Sequence, residues 1–221
     1  MLFITYNDPP SGIYFSQVTD VCRFLSKKFN TSVRLIALIS VRNFFNNRKA
    51  IKNELPEAIV LPMFPKVELW RFIIVILAFF ALFYSDKRAI ARGPFAASVC
   101  LSLRKYGFLK QVIFDGRGAY TAELNEYDVV GSEMIRNKIR AIESRVVNES
   151  DFRIAVSNQL VEYWISEFAY AGNKHVVIPC TLNSLFINEF PSREEIFAFR
   201  KKLSINEKDV DPELAGLAFA R

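Results

Sequence analysis

Histidine is almost absent from this sequence: His175 is the single one in 221 residues. A Ser-His-Asp arrangement would have to use that one residue, and a metal cluster would find no second imidazole beside it. Neither GxGxxG nor GxxxxGK[ST] occurs, so a dinucleotide fingerprint and a P-loop are both unsupported. Cysteine is scarce as well. Cys22, Cys100 and Cys180 are odd in number and show no paired spacing, which excludes a disulfide framework and leaves them as expected small core residues in a reducing compartment. Leu2 to Tyr6 runs straight into Asn7 and Asp8, unlike a signal peptide, so the cytoplasm is the expected location. Acidic residues are rare in one half only. Residues 1–110 carry 16 Lys/Arg against 6 Asp/Glu (+10), whereas residues 111–221 carry 13 against 17 (−4). A basic half suggests an anionic partner. No nucleic-acid module or RNA-binding aromatic motif accompanies it, which points away from nucleic acid and toward an anionic membrane surface.

What is present is a hydrophobic chain, 51% by composition, long enough for one large domain with a substantial core. Short apolar runs alternate with helical patterns, as in repeated βα units. Strands are expected near Leu2–Thr5, Val33–Ile39, Ala58–Leu61, Ala89–Ala91, Gln111–Phe114, Phe152–Val156 and His175–Ile178, most of them too uniformly apolar to be half-exposed. Tyr14, Val18, Val21, Cys22, Leu25 and Phe29 form one helical stripe. Ile135, Ile139, Ile142 and Val146 form a second, with Arg136, Lys138, Arg140 and Glu143 on other faces, and Leu160, Val161, Trp164, Ile165 and Phe168 form a third. Ser192 and Glu195 make a capping box before a fourth. The fold class that follows is α/β, a Rossmann-like doubly wound parallel sheet in a single domain.

The longest apolar run lies within ELWRFIIVILAFFALFYSDKR, residues 68–88. Phe72 to Tyr84 would reach roughly 20 Å as a helix, short of the ~30 Å hydrocarbon layer. Three readings stay open: a buried helix covering the sheet, a helix with one side on the sheet and the other on a membrane, and a true span. In the second, Leu69, Trp70, Phe72, Phe79, Phe80 and Phe83 are the candidate membrane-facing residues, flanked by Arg71, Lys87 and Arg88.

In a doubly wound sheet ligands bind beyond the carboxyl ends of the strands. Polar and small residues recur there: Asn7 to Gly12 after the first strand, Arg92, Gly93 and Pro94 after the fourth, Asp115 to Gly118 after the fifth, Ser157 and Asn158 after the sixth, Cys180 and Thr181 after the seventh. Singly, Asn7 and Asp8 could turn the chain, Ser157 could cap a helix, and Gly93 and Gly118 could relieve the backbone. Asp115 and Arg117 are harder to explain so, because a charged pair at the mouth of a core strand is costly unless it has partners or ligands. His175 opens a strand, at the edge opposite this one.

The segments ITYNDPPSGIYFSQV, ARGPFAA, VIFDGRGAYTAELNEY, IAVSNQLVEYW and VIPCTLNS, in that order and spacing, resemble the N-terminal half of a family 4 glycosyltransferase of the GT-B architecture. The resemblance covers roughly residues 1–208. It implies that this half binds a glycosyl acceptor, a glycan or lipid-linked sugar, while a C-terminal domain binds a nucleotide sugar, which is a co-substrate; no cofactor is implied. Ser11 and Gly12 would approach donor phosphates or acceptor, and Arg92, Asp115 and Arg117 would line the acceptor side. The implied site set is Asn7, Ser11, Gly12, Arg92, Gly93, Asp115, Arg117, Gly118 and Ser157. Many members carry a histidine near the end of the fifth strand; here Phe114 and Asp115 stand there, making Asp115 the candidate catalytic residue.

After KKLSINEKDV the family would begin its donor domain, but residues 209–221 diverge. The expectation is an acceptor-binding half, 1–208, that is inactive without a donor domain and serves cell-surface polysaccharide or glycolipid synthesis. The alternative is a non-catalytic, membrane-associated binding or assembly protein on the same fold, peripheral on the inner face of the membrane.

Overall fold

A computed structural model describes residues 1–63, 70–126, 132–180 and 192–202. Seven strands form one sheet: β1 (Leu2–Tyr6), β2 (Arg34–Ile39), β3 (Ile59–Pro62), β4 (Arg88–Arg92), β5 (Gln111–Gly116), β6 (Phe152–Ala155) and β7 (His175–Val177). Their order is β3-β2-β1-β4-β5-β6-β7 and every pair is parallel. This is the doubly wound Rossmann-like topology expected from the strand runs, with the chain reversing direction across the sheet between β1 and β4.

Period-2 alternation divides the core into two layers. Leu2 and Ile4 of β1, with Ile36 and Leu38 of β2, pack under α4 (Trp70–Leu82), α5 (Gly93–Lys105), α7 (Glu133–Glu149) and α8 (Asn158–Phe168). Phe3, Leu35, Ala37 and Ile39 point the other way, toward Tyr14, Val18 and Cys22 of the first helix and Ile51 of α3 (Phe44–Glu54). Apolar side chains on both faces of one strand require both layers, which is why these strands read as unbroken apolar runs.

The first helix is composite: α1 (Gly12–Tyr14), a π-helical segment Phe15–Thr19, then α2 (Asp20–Phe29). Asn30 ends it in the left-handed region at φ 46°, a conformation asparagine tolerates. The chain divides into two compact units, Met1–Asn183 and Ser184–Arg221. The first holds the whole sheet. In the second, a helix over Arg193–Lys202 starts directly after Ser192 and carries Arg200, Lys201 and Lys202 in its last turn, where cations suit the helix dipole.

Several expectations are corrected. Cys22 and Cys100 are buried as expected, and burial pushes the Cys22 thiol up to about 12; Cys180, just past the short edge strand β7, is exposed. Ile135 and Ile165 extend their stripes in sequence but lie exposed on the outer turns of α7 and α8. Glu143, read as lying off the apolar stripe, is buried. Among the described residues no helix is long and apolar enough to cross a membrane, which removes the spanning reading for α4. Ile73, Leu77 and Ala81 bury one side of α4 in the core, whereas Phe72, Phe79 and Phe83 are exposed and Phe80 is half-buried. Leu69, Thr181 and the tail from 209 lie outside the described residues, as does the side chain of Trp70.

Candidate functional site

The carboxyl ends of β1 and β4 meet where the strand order reverses. From β1 the chain leaves toward the first helix on one face; from β4 it leaves into α5 on the other. Two diverging connections leave a crevice between them. A cleft of about 230 Å³ lies there, lined by Tyr6, Asn7, Asp8, Arg92, Gly93, Pro94, Phe95, Arg117 and Tyr120.

Backbone chemistry opens it. Asn7 adopts φ 55° directly after β1 and donates its N–H to the Leu38 carbonyl at 2.8 Å. Gly93 adopts φ 80°, and a Cβ there would meet nothing within 4 Å, so the constraint is the left-handed backbone itself. That turn lets β4 pass at once into α5, with Pro94 in the first helical turn where its missing N–H costs nothing.

Arg92 is the last residue of β4 and lies in register between Thr5 of β1 and Asp115 of β5. Its Nε donates to Asp8 Oδ2 at 2.7 Å, its Nη2 to Gln17 Oε1 at 3.0 Å, and its Nη1 lies 3.6 Å from Asp115 Oδ2. The guanidinium is therefore spent on protein acceptors and forms a wall of the cleft. Arg117 Nε lies 2.8 Å from Asp115 Oδ1 as an ion pair, but the angle does not make it a hydrogen bond, and Arg117 has no other polar partner among the described residues. Its terminal nitrogens are available to a ligand.

Asp115 does not line the cleft. It is 1% exposed, behind Arg92 and Arg117, and neither carboxylate oxygen makes a hydrogen bond of good geometry. Burial pushes its carboxyl above the ordinary carboxylate range, and the charges of Arg117 and Arg92 oppose that rise. Its evident effect is on the two arginines.

The remaining wall is aromatic. Tyr6 and Phe95 have ring centroids 5.8 Å apart, and Phe95 meets Tyr120 edge-on at 5.2 Å. Tyr120 opens α6 (Tyr120–Glu126), and that start is fixed from below by Glu143 of α7. The Glu143 carboxylate accepts from Tyr120 N at 3.1 Å, from Thr121 N at 2.8 Å and from the Thr121 hydroxyl. Burial raises its pKa, and these bonds oppose the rise.

Of the residues expected from sequence, Asn7, Arg92, Gly93 and Arg117 come together in the cleft. Ser11 instead caps the first helix, accepting from Tyr14 N at 3.3 Å, with Gly12 beside it, and Ser157 caps α8, accepting from Leu160 N at 3.2 Å. Gly118 leaves room for the Glu123 carboxylate. Tyr6, Asp8, Phe95 and Tyr120 complete the lining, and Gln17 and Glu143 support it. A concave site with three aromatic rings, one carboxylate and one open guanidinium can stack a ring and hydrogen-bond hydroxyls or an anionic group at its edge.

Neither a protein-family model nor a curated protein matches the sequence. Among solved structures, the chain is similar to sucrose-phosphate synthase from Thermosynechococcus elongatus, with 13% identity and a TM-score of 0.57 over 93% of this chain and 52% of that one. It is also similar to a structure assigned as a UDP-N-acetylglucosamine 2-epimerase from Listeria monocytogenes, with 14% identity and a TM-score of 0.50 over 75% of this chain and 41% of that one. The chain thus spans about half the length of these proteins or less. Both are GT-B-type folds, and what this chain shares with them is the Rossmann-like α/β architecture.

Proposed function

We propose that this chain is the acceptor-binding half of a nucleotide-sugar-dependent glycosyltransferase, of the family 4 type, acting in cell-surface polysaccharide or glycolipid synthesis. The observation that carries the reading is the cleft at the strand-order reversal, where Tyr6, Phe95 and Tyr120 face the open guanidinium of Arg117 and the carboxylate of Asp8. Rings of this kind stack on the apolar face of a sugar while planar charged groups take its hydroxyls in pairs. The names of the two similar structures, one a sucrose-phosphate synthase and the other a UDP-N-acetylglucosamine epimerase, lie in the same field of sugar chemistry.

In this reading Arg117 binds the acceptor and Asp115 is a positioning residue that holds Arg117 and Arg92. Arg92, held by Asp8, Gln17 and Asp115, stiffens the cleft wall. Transfer requires a nucleotide diphosphate clamped opposite this cleft, and that second wall belongs to a donor domain. Positioning of this kind is worth ~7–11 kcal/mol of barrier, so the 221-residue chain alone is expected to transfer no sugar above background.

Titration of a panel of mono- and disaccharides, followed by NMR on the labelled chain, tests the binding step. The expected result is binding by at least one sugar with shifts at Tyr6, Phe95 and Tyr120, weakened roughly tenfold or more in Arg117→Ala, since a hydrogen bond to a charged group is worth ~1.5–3 kcal/mol. Shifts confined to residues outside the cleft would overturn the reading. A radiolabelled uridine and guanosine diphosphate sugar panel with membrane extract tests the second step; transfer by this chain alone would show that one wall suffices.

A further inference from the structure

Helix α4 buries one side in the core and leaves the other apolar. Val75 is 67% exposed, Phe79 58%, Leu82 62% and Phe83 71%, four large apolar residues on two successive turns and the helix end. A groove of about 470 Å³ runs beside this face, walled by Val75, Phe79 and Leu82 on α4 and by Tyr106 and Phe108 beyond the end of α5. Its lining is almost wholly apolar. A contiguous exposed patch of this kind calls for an occupant.

The surrounding charge identifies the chemistry of that occupant. Beside the groove, Arg88 is paired with Asp86 and Arg104 with Asp151 at 2.6 Å, which leaves Lys105 and Lys110 as exposed cations at its rim. Asp86 is already held, by Arg88 at 2.8 Å and by the N-terminal ammonium at 3.5 Å. Lys105 and Lys110, exposed, flank the two groove residues Tyr106 and Phe108, and Lys87 caps the end of α4 through the Ala81 carbonyl at 2.5 Å. Two copies of this chain meeting through the face would bring these cationic rims together, which disfavours self-association. An apolar layer beneath a sheet of negative charge suits both parts at once. Helix α4 has 13 residues, roughly 20 Å, too short to cross such a layer and long enough to lie along it.

We propose that the outward face of α4, with the adjoining groove, docks on an anionic lipid surface: Phe79, Leu82 and Phe83 enter the acyl boundary, and Lys105 and Lys110 meet the headgroups. This goes beyond the sugar-binding reading and does not depend on it, because its readout is binding to vesicles.

The test is flotation of the full 221-residue chain with phosphatidylcholine vesicles and with vesicles of phosphatidylcholine and phosphatidylglycerol. The expected result is binding to the anionic vesicles, weakened by added salt, and little binding to the neutral ones. Lys105→Ala and Lys110→Ala should each weaken it about fivefold, from the contribution of one cation near a charged membrane. Phe79→Ser with Phe83→Ser should reduce it to background while circular dichroism shows an unchanged fold; both sites are exposed, so the fold should tolerate them. Absence of binding to both vesicle types overturns the proposal, as does unaltered binding by the double serine variant. A dimer seen by light scattering and dissolved by the same serine pair would assign the face to self-association instead.

Discussion

Arg92 and Asp115 stand in register on adjacent parallel strands, with Nη1 3.6 Å from Oδ2 and side chains only 9% and 1% exposed. Each helps the other to be buried, beside the closer partners Asp8 for Arg92 at 2.7 Å and Arg117 for Asp115 at 2.8 Å. A charge this deep is expensive alone, and removing one partner of a buried pair typically costs ~3–5 kcal/mol. Arg92→Ala should therefore lose stability of that order in urea denaturation, and Arg92→Ala with Asp115→Ala together should lose less than the sum of the two. Additive losses would show the two residues to be independent.

Gly116, at the end of β5, lies under the indole of Trp164. A Cβ on it would stand 2.5 Å from Cζ2 and 2.9 Å from Cη2 of a ring that is itself fully buried. The ring has nowhere to move. Gly116→Ala should cost ~1–3 kcal/mol by overpacking. Gly118→Ala meets only the flexible end of Glu123 and should stay within ~1 kcal/mol. Chemical denaturation of the two variants, side by side, measures the difference.

Glu143 provides the pH prediction. Burial raises its folded pKa above the ordinary carboxyl value, so the folded protein holds that proton more tightly than the unfolded chain. The stability tied to the protonated form is fully present below the ordinary carboxyl value and is lost as pH rises through the raised one. Glu143→Gln has no proton to lose there. Melting temperatures of the two proteins across the acid range should show the native protein declining relative to the variant as pH rises. Parallel curves would mean that the bonds from Thr121 and Tyr120 balance burial, and a native protein that gains on the variant as pH rises would mean that they outweigh it.

Gly93 tests the cleft opening by a separate route. Its φ of 80° is strained for any residue with a Cβ, by ~1–2 kcal/mol, although the space around it is free. Gly93→Ala should lose about that much stability, and sugar binding should weaken as the entry into α5 shifts. Unchanged stability would show that the turn adapts.

All seven strands are legible in the sequence because a strand buried on both faces admits little but apolar residues. The ends of two are not. Arg92 and Asp115 read as loop residues, yet the ladder continues through them, since each meets its partner across the strands rather than solvent. Helix α5 gives no helical signal because eight residues of GPFAASVCLSLRK are buried and only Lys105 is exposed, so no polar face contrasts with an apolar one. Helix α3 is hidden for the opposite reason: Ile51 is its one buried residue, Phe44 and Ala50 are half-buried, and the rest are polar or exposed. In the site, Arg117, Asn7 and Gly93 follow from their places after strands. Tyr6, Phe95 and Tyr120 lie one, two and three residues from Asn7, Gly93 and Arg117, and an aromatic that close to each is a usable signal for lining. Gln17 and Glu143 have no such signal, since one depends on a local change of helix type and the other on what lies above α7.

The π-helical segment Phe15–Thr19 amounts to one surplus residue wound into the first helix. Gln17 sits within it, and the altered winding accompanies the contact of its side chain with Arg92. Deleting a single residue between 15 and 19 would let the backbone close into regular α-helical turns, rotating everything upstream by about 100° relative to α2. The helix would gain better-spaced hydrogen bonds while the arginine lost an acceptor. The cleft is thus kept in phase by a flaw in its nearest helix, and a shorter, more regular sequence would make a sounder scaffold around a misaligned site.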